Sequence, residues 1–445
     1  MSEGSLEAPI RRPIQWQEEA FTNPEDLDVE LRRVFDICHG CRRCFNLCDA
    51  FPRLFDLIDS SETGELDSVD SASFRHVADA CTLCDMCFMT KCPYVPPHEF
   101  DLDFPHLMLR YRAMEFKRGN VSTSLIQLTE TDRNGKLASF LAPFVNWFTS
   151  RRNKITRFIM EIFTGVDRNS ELPKYHHKTF GKRDHLKRQI NGPATTRKAI
   201  LYSTCFINYN NPGIGEATQK VLSNHGVETK ILYPSCCGMP QLEQGDISRV
   251  ADNARKITAE LLPWVDNGYD VIALVPSCSL MLKFEWPLIL PENQDIKKLS
   301  NATFDISEYI MDMARQKQLR GGLKKIEGGV TVHLACHSRA QNMGPKAADM
   351  LRLIPDTEVV VVDRCSGHGG SWGIMKSNFE TALRVGQPVA NKAAGANHSN
   401  VVSECPLARE HIVQGMNQLG GSKSGNKVAA VCHPIEILAK SFDFE

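Results

Sequence analysis

Two runs of cysteine constrain this chain more than any other feature. The first reads Cys38-His39-Gly40-Cys41-Arg42-Arg43-Cys44-Phe45-Asn46-Leu47-Cys48. The second reads Cys81-Thr82-Leu83-Cys84-Asp85-Met86-Cys87-Phe88-Met89-Thr90-Lys91-Cys92-Pro93. In each, three cysteines stand two residues apart and a fourth follows a few residues on. The C-x2-C-x2-C spacing folds three sulfurs onto one side of a tight turn, as a compact [4Fe–4S] cube requires. The fourth cysteine cannot reach back to the same cube, and in chains with two such runs it ligates the other cluster. The spacing therefore assigns Cys38, Cys41, Cys44 and Cys92 to one cluster. Cys81, Cys84, Cys87 and Cys48 take the second.

Other uses of cysteine fit less well. A zinc site takes paired C-x2-C units and four ligands. Disulfides need an oxidising compartment, and the N-terminus lacks the basic start and apolar stretch of a secretory signal. Sixteen cysteines without such a signal point to the cytoplasm, with thiols held by metal. Two departures from the commonest pattern stand out. The second run has four residues, not three, before its last cysteine, and the first ends in Cys48-Asp49 where Cys-Pro is usual. Both fall in the loop before the fourth ligand, where an extra residue can be absorbed.

At 445 residues the chain is too long for one two-cluster ferredoxin, and two or three domains are expected. No stretch approaches the apolar length of a membrane-spanning helix. The formal charge of −1 leaves out the clusters. Four thiolates on each cube add about −2 per cluster, so the loaded protein is acidic and nucleic acid is a poor partner.

Residues 1–30 are polar and acidic and read as an arm that packs late or not at all. Residues 31–115 hold both runs. The Ser-, Asp- and Gly-rich stretch 59–73 is a loop, and Leu54, Leu57 and Ile58 have helical spacing. A mostly α-helical ferredoxin-type domain is expected. Residues 116–195 read as a helical, basic, amphipathic linker. Leu137, Phe140, Leu141, Phe144, Val145 and Phe148 recur at helical spacing, as do Ile155, Phe158, Ile159, Ile162 and Phe163. Pro143 should break the first series. Arg151, Arg152, Lys154 and Arg157 sit among these rings. Such a segment can pack on its own domain with a solvated basic face, dock an acidic partner, or lie on a membrane surface.

From residue 196 strands and helices alternate, and the order repeats. Strands are expected at 199–204, 229–233 and 270–275, leading to Cys205, to Cys236-Cys237-Gly238 and to Cys278. The series recurs at 330–335, 358–362 and 401–402, leading to Cys336, to Cys365-Ser366-Gly367 and to Cys405. The offsets between equivalent cysteines are 131, 129 and 127 residues. Three landmarks near one offset indicate two copies of one α/β unit, spanning 196–320 and 326–445, packed as a pseudo-twofold pair with cysteine loops facing. Cysteines at the carboxyl ends of strands stand where open α/β sheets place their sites.

Two tandem copies of Cys…Cys-Cys-Gly…Cys resemble the cysteine-rich CCG domains found in the B subunit of heterodisulfide reductase. With a two-cluster ferredoxin ahead of them, the chain resembles the C subunit of anaerobic glycerol-3-phosphate dehydrogenase and the iron–sulfur subunit of glycolate oxidase. The resemblance implies an electron-transfer subunit served by a flavoprotein dehydrogenase or other redox protein and delivering to an acceptor such as membrane quinone. It would be cytoplasmic or peripheral on the inner face of a membrane. One or two further iron–sulfur clusters are implied in the CCG domains. The disulfide-cleaving relatives use five cysteines per copy. Here Met281 and Ala408 stand at the fifth positions, and Ser366 replaces one cysteine of the second pair. Cys205, Cys236, Cys237 and Cys278 suffice for one four-thiolate cluster. Cys336, Cys365 and Cys405 need a fourth ligand, with His368, His337 and Cys432 as candidates, or the second copy is empty.

No Gly-x-Gly-x-x-Gly follows a strand and no Walker loop is present, so no Rossmann flavin or nicotinamide site is signalled. Three functions remain in view. The first is electron transfer between a redox partner and an acceptor. The second is thiol–disulfide or small-molecule reduction at an incompletely ligated cluster in the second copy. The third is a scaffold whose clusters only stabilise the fold.

Overall fold

The computed structural model of the protein describes residues 7–183, 197–418, 428 and 433–442. Cys432 lies outside the described residues. The N-terminal cysteine region is built from α1 (Pro24–Cys41), α2 (Ala50–Asp59), α3 (Phe74–Ala80) and α4 (Phe104–Lys117). α1 starts where the Asn23 side chain accepts from the backbone N–H of Glu25 and Asp26, with Pro24 at the first position. Both devices satisfy or remove the orphan donors of a helix start. Leu27, Leu31, Val34 and Phe35 are buried on one face of α1, and Phe51, Leu54, Phe55 and Ile58 on α2. Phe35 meets Phe74 edge-on at 5.1 Å, and Phe51 lies 4.7 Å from Phe104. Burying each such ring stabilises the fold by about 1.5–3 kcal/mol. The region is helical, as the spacing predicts, and after Asp59 closes α2 the stretch 60–73 holds only short 3-10 turns.

Four short helices follow: α5 (Thr123–Thr129), α6 (Thr131–Phe140), α7 (Ala142–Phe148) and α8 (Lys154–Thr164). Pro143 does end the first series, sitting in the first turn of α7 where no N–H is needed.

The first α/β copy runs β1 (Lys198–Tyr202), α9 (Cys205–Tyr209), α10 (Pro212–Asn224), β2 (Glu228–Leu232), α11 (Met239–Glu243), α12 (Ile247–Asp266), β3 (Tyr269–Ala273) and α13 (Pro276–Leu280). It continues through α14 (Trp286–Ile289), α15 (Gln294–Asn301), β4 (Thr303–Asp305) and α16 (Ile306–Arg315). The second copy runs β5 (Val330–His333), α17 (Cys336–Ala340), α18 (Lys346–Leu351), β6 (Val359–Val362), α19 (Phe379–Ala396), β7 (Asn400–Ser403) and α20 (Pro406–Gln418), followed by α21 (Pro434–Ser441). Both sheets are parallel, with orders β2-β1-β3-β4 and β6-β5-β7. The second order equals the first without its edge strand, which makes the repeat structural. Gly238 and Gly367 close equivalent turns at φ +93° and +78°, a region closed to most L side chains. A Cβ on Gly367 would also meet the Ala382 carbonyl oxygen at 2.0 Å.

The copies pack through α13 and α17. The His337 ring lies 2.8 Å from Ser277 Oγ, and Gln341 donates to Ser279 Oγ at 2.9 Å. The N-terminal region packs on the first copy just as closely. The Arg112 guanidinium spans the carbonyls of Ala78 and Glu243 at 2.9 and 2.8 Å. Gly245 (φ +86°) lies so near Arg112 that a Cβ would meet its backbone at 2.4 Å.

The N-terminal arm overturns its expectation. Ile14 is buried, its N–H donates to Leu288 O at 2.8 Å, and Trp16 Nε1 donates to Ile289 O at 2.8 Å. Arg11 reaches Asp85 at 2.7 Å, Asp103 at 2.8 Å and Glu285 at 3.2 Å, with its guanidinium 4.7 Å from the Phe88 ring. The polar composition suggested a free arm because its partners are remote in sequence.

Arg11→Ala takes the arginine from buried Asp85 and Glu285 and from partly exposed Asp103, leaving only His106 beside the last two, and breaking such a buried pair typically costs about 3–5 kcal/mol. Denaturant unfolding of the intact protein should show a loss of that order, and a change under about 0.5 kcal/mol would mean that the arm is dispensable.

Candidate metal centres

The two cysteine runs fold differently but share one backbone device. In the first, Cys38 and Cys41 lie in the last turn of α1, and the residue after Cys41, Arg42, turns the chain at φ 52°. In the second, Cys81 and Cys84 lie on a loop in which Leu83 and Asp85 are left-handed, at φ 48° and 62°, and Cys87 begins the helical turn after it. The residue after the second cysteine is thus left-handed in both. Such non-glycine residues cost about 1–2 kcal/mol each and persist where the surroundings fix them. The long spacing of the second run is absorbed by a single π-helical turn, Cys87–Lys91, with the Cys92 N–H on Cys87 O at 2.8 Å.

Cys38, Cys41, Cys44 and Cys92 line one cavity, with Phe51, Phe55 and Tyr94. Burial pushes the Cys38 thiol well up, and Cys92, Cys44 and Cys41 are close enough to push it further. Cys48 stands apart from the rest of its own run. Cys48 is pushed up by burial and then by Cys84 and Cys81, so it sits with the second run. Cys48 stands before α2, and its sulfur accepts from the Ala50 N–H. The Cys87 thiol is raised by burial, then by Cys84, Cys81 and Cys44, which brings the two groups within electrostatic reach.

The first-copy cysteines stand at the carboxyl ends of three parallel strands. Cys205 heads α9, Cys236 and Cys237 follow β2, and Cys278 lies in α13 after β3. The Cys205 and Cys236 sulfurs are 3.8 Å apart, and those of Cys237 and Cys278 3.3 Å. The contact between Cys205 and Cys236 holds Cys236 low and Cys205 high. Asp132 from α6 accepts from the Cys236 N–H at 3.0 Å and from the Tyr233 hydroxyl. Trp286 Nε1 donates to Cys237 O at 3.1 Å.

In the second copy, Cys336 heads α17, Cys365 follows β6 and Cys405 precedes α20. Burial raises the Cys336 thiol, followed by Cys84, Cys365 and Cys405. Cys84 is in turn pushed up to about 12, by burial and then by Cys365. The three-cysteine group therefore adjoins the second run, and Cys405 is also within reach of Cys278. No local pattern in the chain marks this adjacency.

His368 and His337, the candidate fourth ligands, have other surroundings. His337 spends its ring on Ser277 and, at 3.4 Å, on Leu83 O, joining three parts of the chain. The His368 ring stands 5.7 Å from that of His411. Burial pushes His368 down to about 3, so it is neutral. His368 and His411 face a cavity of about 300 Å³ between the copies, bounded also by Phe206, Pro406, Glu410 and Lys174. Phe206 follows Cys205 and Pro406 follows Cys405, so the cavity opens beside both cysteine groups. Glu404 is buried, and that burial pushes its carboxyl up to about 8. Sequence reading missed Asp132, Glu404 and His411. Nothing local marks them: Asp132 meets Cys236 across 104 positions, and Glu404 meets Ala335 across 69.

Fifteen described cysteines are free thiols. Five are buried and ten partly buried, in groups of three or four, where a thiolate is costly unless a cation compensates it. Iron–sulfur cores supply that positive charge, and the four thiols of Cys38, Cys41, Cys44 and Cys92 around one cavity fit such a core.

Comparison with known proteins gives a matching result. A family model, the Cysteine-rich domain CCG, matches residues 199–283 and 330–408. The chain is 27% identical over 288 residues to the C subunit of anaerobic glycerol-3-phosphate dehydrogenase from Escherichia coli (strain K12), covering 64% of this chain and 71% of that one. It is 25% identical over 264 residues to the B subunit of fumarate reductase (CoM/CoB) from Methanothermobacter marburgensis, covering 57% and 50%. It is 24% identical over 231 residues to the D subunit of dihydromethanophenazine:CoB--CoM heterodisulfide reductase from Methanosarcina acetivorans, covering 49% and 54%. Two stretches of the chain thus match the cysteine-rich domain CCG, and the chain resembles the C subunit of anaerobic glycerol-3-phosphate dehydrogenase and related iron–sulfur proteins.

Proposed function

We propose that this protein is an electron-transfer subunit. It takes electrons from a separate redox protein, a flavoprotein dehydrogenase in the finer reading, and delivers them to an acceptor bound between its two CCG copies. One observation carries the proposal: the cysteine groups are consecutive neighbours. Cys44 lies within reach of Cys87, Cys84 of Cys336 and Cys365, and Cys405 of Cys278. The order through space is first run, second run, second copy, first copy. Iron–sulfur clusters supply one-electron steps at such sites, and their potentials follow ligation, hydrogen bonding and burial.

In this reading Cys38, Cys41, Cys44 and Cys92 hold one [4Fe–4S] cluster, and Cys81, Cys84, Cys87 and Cys48 a second. Cys205, Cys236, Cys237 and Cys278 hold a third. Cys336, Cys365 and Cys405 hold a further one with a ligand from outside the three. The cavity bounded by His368, His411 and Glu410 would take the acceptor, with a quinone as the finer reading. The same cavity favours one alternative, reduction of a small disulfide there. Disulfide cleavage by the reduced chain with no partner present would establish that alternative.

Iron and acid-labile sulfide on anaerobically purified protein should give about 14–16 irons per chain. About 12 would leave the second copy empty and break the proposed route there, and about eight would confine the clusters to the two runs. Cys41→Ser should remove about four irons and stop electron flow, with the far-UV dichroism of the α/β copies intact. Cys336→Ser should leave the first two clusters reducible but slow delivery to the first copy, read by stopped-flow absorbance, at least about tenfold. An unchanged rate would place the second copy off the path.

A further inference from the structure

The linker helices are inside out. In α8 the buried residues are Thr156, Arg157 and Glu161, whereas Ile155, Phe158, Ile159, Ile162 and Phe163 are exposed. Arg157 is 1% exposed and donates to the carbonyls of Asp167 at 2.6 Å and Ser170 at 2.9 Å. Glu161 is buried against Arg168 at 2.6 Å and Lys376 at 3.0 Å. Polar contacts thus fix the helix to the body and turn its apolar stripe outward. α6 and α7 behave alike, burying Gly135, Ser139 and Ala142 while exposing Leu137, Phe140, Phe144 and Trp147. Phe140 is 75% exposed and Phe163 78%.

A soluble face of this kind is unusual, because three consecutive helices rarely all present large apolar residues to water. The packing alternative, in which these rings cover their own domain, is excluded by their exposure. The rim around them is basic. Arg151, Arg152, Arg168, Lys174 and Glu171 border an open cleft beside α8, where Arg151 pairs with Glu171 at 2.8 Å and Arg168 with Glu161 at 2.6 Å, while Arg152 and Lys174 form no ion pair among the described residues. Arg168 also caps the Phe158 ring at 4.8 Å.

We propose that α6, α7 and α8 form a docking face for an anionic phospholipid bilayer. The exposed rings enter the interfacial layer, and the cleft of Arg151, Arg152 and Lys174 takes lipid phosphate. Large apolar residues flanked by Lys and Arg, with Trp at the edge, are what interfacial attachment requires. No described helix is long and apolar enough to cross a membrane, so the described helices attach to one leaflet. The basic rim selects lipid over an apolar protein patch, since an apolar partner would leave Arg152 and Lys174 without counter-charge. Docking has a consequence for geometry. Gly135 of α6 packs directly on the Tyr209 ring of α9, where a Cβ would meet it at 2.2 Å, and α9 begins at Cys205. The acceptor cavity shares Glu171 and Lys174 with the cleft, so it opens at the lipid side.

The test is flotation of the cluster-loaded protein with phosphatidylcholine vesicles, with and without one-quarter phosphatidylglycerol. Binding should require the anionic lipid and fall with salt over the range where the Debye length shortens. The double change Phe144→Ser with Phe163→Ser should weaken binding at least about tenfold, and Arg151→Glu with Arg152→Glu should abolish the preference for phosphatidylglycerol. All these positions are exposed, so iron content and far-UV dichroism should not move. No binding to either vesicle would overturn the proposal. So would a dimer in solution that the Phe144 and Phe163 changes convert to monomer, since a second copy would then cover the face. Neither result bears on electron flow among the cysteine groups, which is read separately in solution.

Discussion

Cysteines from four parts of the chain must meet as enclosed, adjacent groups, and the rest of the structure follows from that constraint. A buried thiolate is costly without a cation, so the fold has to supply both enclosure and room for a core. The chain meets this with two different scaffolds. Short helices enclose the two N-terminal runs, and the carboxyl ends of parallel strands carry the rest. Left-handed residues at Arg42 and Asp85, and glycines at 238 and 367, provide the turns that aim the sulfurs.

Bringing the scaffolds together takes polar contacts in places where a simple core would use apolar side chains. Arg11 gathers Asp85, Asp103 and Glu285, one from the second cysteine run, one from the start of α4 and one from the first α/β copy. Arg112 spans the same boundary by donating to backbone carbonyls. His337 ties the second copy to both others. Buried pairs of this kind do little for net stability against apolar substitutes but fix which surfaces meet. That fit decides whether Cys84 stands beside Cys336, and so whether the groups form a route.

The linker helices invert the usual rule. Their apolar periodicity was plain in the sequence, but periodicity gives only a stripe, not its direction. Direction is set by Arg157 and Glu161, whose partners bind the polar side of α8 to the body. A stripe facing solvent beside a basic cleft becomes a surface with a purpose beyond packing.

By itself the sequence determined the candidate ligand residues, the helical character of the N-terminal region, the parallel α/β repeat and its cysteine ends. These are local properties: spacing within a turn, alternation, and an offset between copies. The sequence also carried the resemblance to CCG proteins, because that rests on the same spacings. Only the tertiary structure decided which groups are neighbours, that the arm docks, that His368 faces His411, and that α8 turns outward. Each of these depends on how the chain folds back on itself, often over long separations, and Arg11 and Glu285 are 274 positions apart. Local pattern specifies elements, while long-range polar pairing specifies how their faces are assigned.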